Sequence, residues 1–126
     1  MIGPSRLRIL WLDRERDLFV YLDEVDYEWA KRWKWQPQPD SRGKKFYAMR
    51  STRSKGKCVL VYLHKEIAKR AYGPPPSPDH IIGDHKNGDS LDCRRDNLRW
   101  ATRSENSANR HGSLVRQIPL FLHGAL

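Results

Sequence analysis

The sequence predicts an α+β fold, with a β-rich N-terminal scaffold carrying two short helices and then a small strand–loop–strand–helix unit. Three observations predict it. Two pairs of β-prone apolar runs flank polar turns, two segments carry helical spacing, and residues 79–110 are dense in polar functional types but poor in apolar ones. A chain of 126 residues fits one domain around one modest core.

The first hairpin pairs Leu7–Leu12 with Leu18–Leu22 across the polar segment DRERD. Glu24 to Trp35 follows, with Val25, Trp29, Ala30 and Trp33 spaced for one face of a helix that Pro37 and Pro39 would stop. The three tryptophans Trp29, Trp33 and Trp35 read as core. A second hairpin pairs Lys45–Thr52 with Cys58–Leu63 across the Gly-containing turn RSKGK. His64–Tyr72 reads as a helix with Ile67, Ala68 and Ala71 inward and Gly73 placed to end it. These elements make up a scaffold over residues 1–73. Pro74–Pro78 (PPPSP) is a stiff, extended connector.

Residues 79–112 form the second unit. Ile81-Ile82 and Leu98–Ala101 are two short strands around a long polar loop, with Trp100 as the expected core anchor. Thr102 and Glu105 have capping-box spacing, so a helix starts at Thr102 and runs to about Arg110, where His111-Gly112 can end it. The tail, residues 113–126, carries scattered apolar residues that could pack on the scaffold, meet a partner or extend freely.

Charge narrows the partners. Lys and Arg number 24 against 15 Asp and Glu, a formal net charge of +9, and a basic single domain most simply meets nucleic acid. The two cysteines, Cys58 and Cys93, lie far apart with no Cys-x-x-Cys pair, so no cysteine-based structural zinc is expected. No signal-type run opens the sequence and no apolar stretch approaches ~20 residues. The expectation is a soluble, intracellular protein.

Four residues of the second unit form a candidate constellation: Asp84, His85, Asn97 and Asn106. Asp84 and His85 sit where the first short strand bends into the loop. Arg103, Asn106 and Asn109 share one face of the last helix, three residues apart. Phosphodiester hydrolysis needs a base for the attacking water, and histidine is the usual one near neutral pH. It also needs positive charge where the phosphate and its leaving oxygen become more negative, which a hard divalent ion can supply. Asp84 and the Asn106 side-chain oxygen suffice as protein ligands for Mg²⁺ or Mn²⁺. His85 is then the base, Arg103 a phosphate clamp, and Asn97 fixes the loop or orients the base. Arg94, Arg95, Arg99 and Asn109 are the candidate DNA contacts.

The same residues carry a resemblance. The stretch DHKNGDSLDCRRDNLRWATRSENSAN, Asp84 to Asn109, is similar to the ββα-metal motif of HNH endonucleases, closest to the phage and intron-encoded branch. Upstream, Asp26–Trp29, Trp33–Trp35, Phe46–Ala48 and Tyr62–Lys65 also resemble small phage members, so the likeness covers roughly residues 18 to 110. It implies Asp84 and Asn106 as ligands of one divalent ion, His85 as base, Asn97 as the central asparagine, and Arg103 as a phosphate contact. It implies cleavage of DNA, expected to be double-stranded, by a monomer or homodimer that nicks one strand per site. Cys93 stands where many relatives carry asparagine. Two other readings stay open on the sequence: a non-catalytic nucleic-acid-binding module that keeps the fold, and a small zinc-stabilised domain using His80 and His85.

Overall fold

The computed structural model describes residues 6–109 of the chain. Strands β1 (Leu7–Asp13) and β2 (Leu18–Asp23) form the first antiparallel hairpin. Phe19 to Leu22 of β2 are all buried, because both faces of the strand are covered. Val20 and Leu22 enter the main core, while Phe19 and Tyr21 pack against Leu7, Ile9 and Trp11.

Helix α1 (Glu24–Ala30) stops five residues short of the expected Trp35. The cause is Trp35 itself. Its ring is buried and its indole Nε1 donates to the Ala30 carbonyl at 2.9 Å, which folds the chain back under the helix end. The inner face also differs from the predicted stripe: Asp26 and Ala30 are buried, whereas Val25 is exposed. A buried carboxylate needs partners, and Asp26 has two. Arg95 donates from Nε and Nη2, each at 2.8 Å, and Arg70 from Nε at 3.2 Å.

Pro37 and Pro39 do more than end a helix. They lie in strand β3 (Gln36–Pro39), paired with Ala48 and Phe46 of β4 (Phe46–Ser54). The strand sits at the edge of the three-stranded sheet β3-β4-β5, where a residue with no N–H is tolerated. β5 (Lys57–Tyr62) runs straight into α2 (Leu63–Tyr72), whose Leu63, Ile67 and Ala68 are buried and which ends at Gly73 with φ 80°. Each fully buried Leu or Ile here contributes about 1.5–3 kcal/mol.

After the proline-rich stretch, β6 (Ile82–His85) and β7 (Leu98–Ala101) pair antiparallel, with Asp84 opposite Arg99 and His85 opposite Leu98. A single 3₁₀ turn, Arg95–Asn97, precedes β7, and α3 (Arg103–Asn109) follows it. The capping box forms as expected. Glu105 N–H donates to Thr102 Oγ1 at 3.1 Å, and Thr102 N–H donates to Glu105 Oε1 at 2.9 Å. The predicted helix end at Arg110–Gly112 and the tail 113–126 lie outside the described residues.

The two halves share one core. Leu91, Cys93 and Leu98 pack with Val20, Leu22, Leu63 and Ile67. The Tyr21 N–H donates to the Leu91 carbonyl, and the Cys93 N–H to the Tyr21 carbonyl, both at 2.9 Å. The polar loop thus takes its order from two residues driven into the scaffold. Trp100, expected to anchor the unit, is only partly buried and donates its Nε1–H to the Gly73 carbonyl at 2.9 Å. Leu98 and Ala101 are the buried residues of β7. Among the described residues no helix is long and apolar enough to cross a membrane.

Candidate active site

A cleft of about 800 Å³ opens between the β3–β4 turn, the start of α2, strand β6 and helix α3. Asp84 and His85 border it from β6, and Arg103, Asn106 and Asn109 from α3. The helical spacing of three, read from the sequence, therefore places all three α3 residues on one wall.

Asp84 is almost wholly buried, at 4% exposure. Its Oδ2 accepts from Arg99 Nε at 2.8 Å, across the β6–β7 pair. Asn109 donates from Nδ2 to both carboxylate oxygens, at 3.2 and 3.3 Å, and to the His85 carbonyl at 2.7 Å. Arg99 and Asn109, expected as DNA contacts, are thus engaged inside the site and hold its acid in place. Arg94 and Arg95 are also engaged internally. Arg94 forks onto Asp92 at 2.8 and 2.6 Å, and Arg95 grips Asp26. The Arg95 guanidinium pins the loop to the scaffold, and that of Arg94 braces the loop from within.

Asn97 lies behind the cleft. Its Oδ1 accepts from the Asn87 N–H at 3.0 Å, and its Nδ2 donates to Asn87 Oδ1 at 3.0 Å and the Asp92 carbonyl at 2.8 Å. Of the two roles expected for it, loop fixing is the one these bonds perform. Asn87 and Asp89 each cap a backbone N–H two residues on, which completes the turn.

His85 is buried against aromatic neighbours. Its ring centroid lies 4.8 Å from that of His64 and 6.1 Å from that of Tyr47. Its Nε2 lies 3.9 Å from the thiol of Cys93. Burial, with Lys45 adding to it, pushes the His85 pKa down to about 3, so the ring is neutral at neutral pH. Burial likewise holds His64 well below the usual histidine range, with His85 and Lys65 adding to the effect. His64 enters the sequence reading as the first residue of a helix, yet it lies beside His85. Nothing in its place along the chain signals that it would lie beside His85. Lys45, Tyr47 and Lys65 also line the cleft and come from the scaffold. Only the close approach of β6 to α2 brings them there.

Gly83 is what permits that approach. A Cβ at this position would lie 2.8 Å from His64 Cδ2. His80, the other histidine considered for zinc, bonds Ser77 through Nδ1 at 2.7 Å and faces Glu105 at 3.8 Å through Nε2. Among the described residues no three His, Cys, Asp or Glu side chains converge as a metal-binding group.

Asp84 and Asn106 form a different kind of donor set. Both line one cleft and carry a side-chain oxygen, and among the described residues Asp84 Oδ1 accepts one hydrogen bond, at 3.2 Å, leaving a lone pair for a cation. Such a set fits a hard divalent ion, which takes few protein ligands and completes its shell with water and phosphate.

Residues 61–108 match the family model described as HNH endonuclease. The matched segment runs from the end of β5 into α3 and includes Asp84, His85, Asn97, Arg103 and Asn106; this part of the chain is similar to HNH endonucleases. No curated protein and no solved structure matches the chain.

Proposed function

We propose that the protein is a metal-dependent HNH endonuclease that hydrolyses phosphodiester bonds of duplex DNA, cutting one strand per active site. The observation that carries this reading is the convergence of Asp84, His85, Arg103 and Asn106 on one cleft rimmed by Lys45 and Lys65. The similarity of residues 61–108 to HNH endonucleases supports it, as does the net charge of +9.

In this reading the neutral His85 ring takes a proton from a water whose oxygen attacks phosphorus. A new O–P bond forms, the P–O3′ bond breaks, and the departing 3′ oxygen takes a proton from solvent. A phosphate beside His85 opposes the field of Lys45 and raises the ring's proton affinity at the moment it is needed. Arg103 holds a phosphate oxygen, and Lys45 and Lys65 draw the backbone to the cleft. Arg99 and Asn109 keep Asp84 and the His85 backbone in register, while Asn97 keeps the loop folded. A divalent ion, Mg²⁺ or Mn²⁺, would be held by Asp84 and Asn106; when bound it supplies positive charge for the phosphate and the leaving oxygen.

A supercoiled plasmid tests the reading. Open circles should form with Mg²⁺ or Mn²⁺, vanish with EDTA, and be lost in His85→Ala. Wild-type protein that binds the plasmid but never cuts it, with either metal and across pH 6–9, would return the assignment to a non-catalytic binding module.

A further inference from the structure

Between Asp40 and Glu66 the chain carries eight Lys or Arg residues and no Asp or Glu. The fold projects the middle of this run away from the body. β3 covers β4 only from Phe46 to Met49. Beyond that, from the Arg50–Val61 pair outward, β4 and β5 continue as a two-stranded ribbon. Every residue from Ser51 to Leu60 is exposed. Lys55 and Gly56 form the tip with φ of 52° and 77°, the double positive φ of a two-residue type I′ turn, whose twist matches the strands. The ribbon extends roughly 15 Å at ~3.3 Å per residue.

Its surface is basic with an apolar component. Arg53, Lys55 and Lys57 are exposed, and among the described residues the Arg53 guanidinium bonds the Gly56 carbonyl of its own turn, at 3.4 Å. Val59 and Leu60 are 40% and 51% exposed and, as neighbours on a strand, point to opposite faces. At the root, Arg50 stacks on the Trp33 ring at 4.4 Å and ties the ribbon to the body. The root also opens into the cleft. Tyr47 of β4, and Tyr62, His64 and Lys65 where β5 meets α2, all line it.

The geometry points to the β4–β5 ribbon as a second DNA-binding element, lying in the major groove of the duplex whose phosphate reaches His85. This rests on the nuclease reading. A two-stranded ribbon is the right width for that groove. Arg53, Lys55 and Lys57 meet phosphates or base edges, and whichever of Val59 and Leu60 lies on the face turned to the bases supplies apolar contact to thymine methyl groups. The charge argues against the other occupant of an exposed strand edge, a second copy of this chain. Pairing two such ribbons would bring like charges together, and lysine-rich edges are how proteins avoid that contact.

The test is binding of the full chain to a mixed-sequence DNA duplex in EDTA, followed by fluorescence anisotropy over a range of salt. The triple variant Arg53→Gln, Lys55→Gln, Lys57→Gln is compared with wild type, with circular dichroism to check the fold. The expected result is at least a ten-fold weaker Kd. The slope of log K against log salt should also fall by about 0.9 for each phosphate that the variant no longer neutralises. A folded variant with unchanged Kd and slope, from a wild type that binds, overturns the ribbon proposal and leaves the nuclease reading intact. A wild type that shows no duplex binding even at low salt overturns both. A wild-type dimer that the triple variant dissociates, seen by light scattering with DNA affinity unchanged, would make the ribbon an interface between copies and overturn the proposal.

Discussion

Asn109 donates one amide hydrogen bond to the His85 carbonyl at 2.7 Å and reaches the adjacent Asp84 carboxylate at 3.2 Å. One side chain on α3 thereby holds the two neighbouring residues of β6 on which the proposed chemistry depends. Asn109→Ala should therefore lower DNA cleavage by about 10–100-fold, the usual cost of removing a group that orients a metal ligand. DNA affinity measured in EDTA should change by less than about three-fold, since only the positioning of Asp84 is disturbed. A loss confined to binding would show that Asn109 contacts DNA, as its helical position first indicated.

Acid should weaken the fold, and two buried histidines set the direction. Both His64 and His85 have folded pKa values below the ordinary 6.5, that of His85 at about 3. The unfolded chain therefore binds more protons than the folded one once pH drops below ~6.5. Their stabilising contribution is complete above that pH and is lost as pH falls towards the folded values. Between pH 6 and 4 the slope approaches about 1.4 kcal/mol per pH unit for His85, and His64 adds in the same direction. Urea unfolding at pH 7 and pH 5 measures it. Ring carbon and nitrogen NMR shifts of His85 should still report neutral imidazole at pH 5. A protonated His85 at pH 5 would sink the account.

Gly83 and His64 should be energetically coupled. Gly83→Ala places a Cβ 2.8 Å from the His64 ring, which must move, and His64 lies against His85. The single substitution should destabilise by about 1–3 kcal/mol, the cost of overpacking, and reduce kcat more than it raises KM. In a His64→Ala background there is room for the methyl group, so the added cost of Gly83→Ala should fall below about 0.5 kcal/mol, the range found for uncoupled sites. Additive effects in the double-mutant cycle would refute a steric link.

Asp26 joins α1 to α2 and to the turn before β7 through Arg70 and Arg95. It is fully buried while both arginines keep about a third of their surface exposed. Asp26→Ala leaves two cations that can still reach water, so the loss should be about 2–3 kcal/mol rather than the 3–5 of a fully enclosed pair. Thermal and urea melts measure it. A loss below about 0.5 kcal/mol would mean that the pairing offsets only its own desolvation.

Local pattern made much of the second unit legible. Thr102 and Glu105 announced the start of α3 because a capping box is a property of four consecutive residues. Asp84, His85, Arg103 and Asn106 stand out by residue type and spacing, and the fold brings all four to one cleft. The second hairpin was legible too, because Lys55-Gly56 can adopt positive φ where the turn needs it.

Partner choice was not legible. The sequence could not show that Arg95 would pair with Asp26, 69 residues away, or that Arg99 and Asn109 would turn inward onto Asp84. A charged side chain reads the same whether it faces phosphate or a buried carboxylate, and only the packing of distant elements separates the two. The early end of α1 has the same origin, since Trp35 left the helical stripe to fill a core formed by residues far along the chain. Sequence by itself determined most of the element types, the turn chemistry and which residue types form the candidate site, because these depend on neighbours within a few residues. Tertiary structure decided which arginines are engaged internally, set His64 beside His85 through the gap at Gly83, and left the β4–β5 ribbon without a covering strand. Those outcomes follow from burial and close approach between segments, which no local spacing encodes.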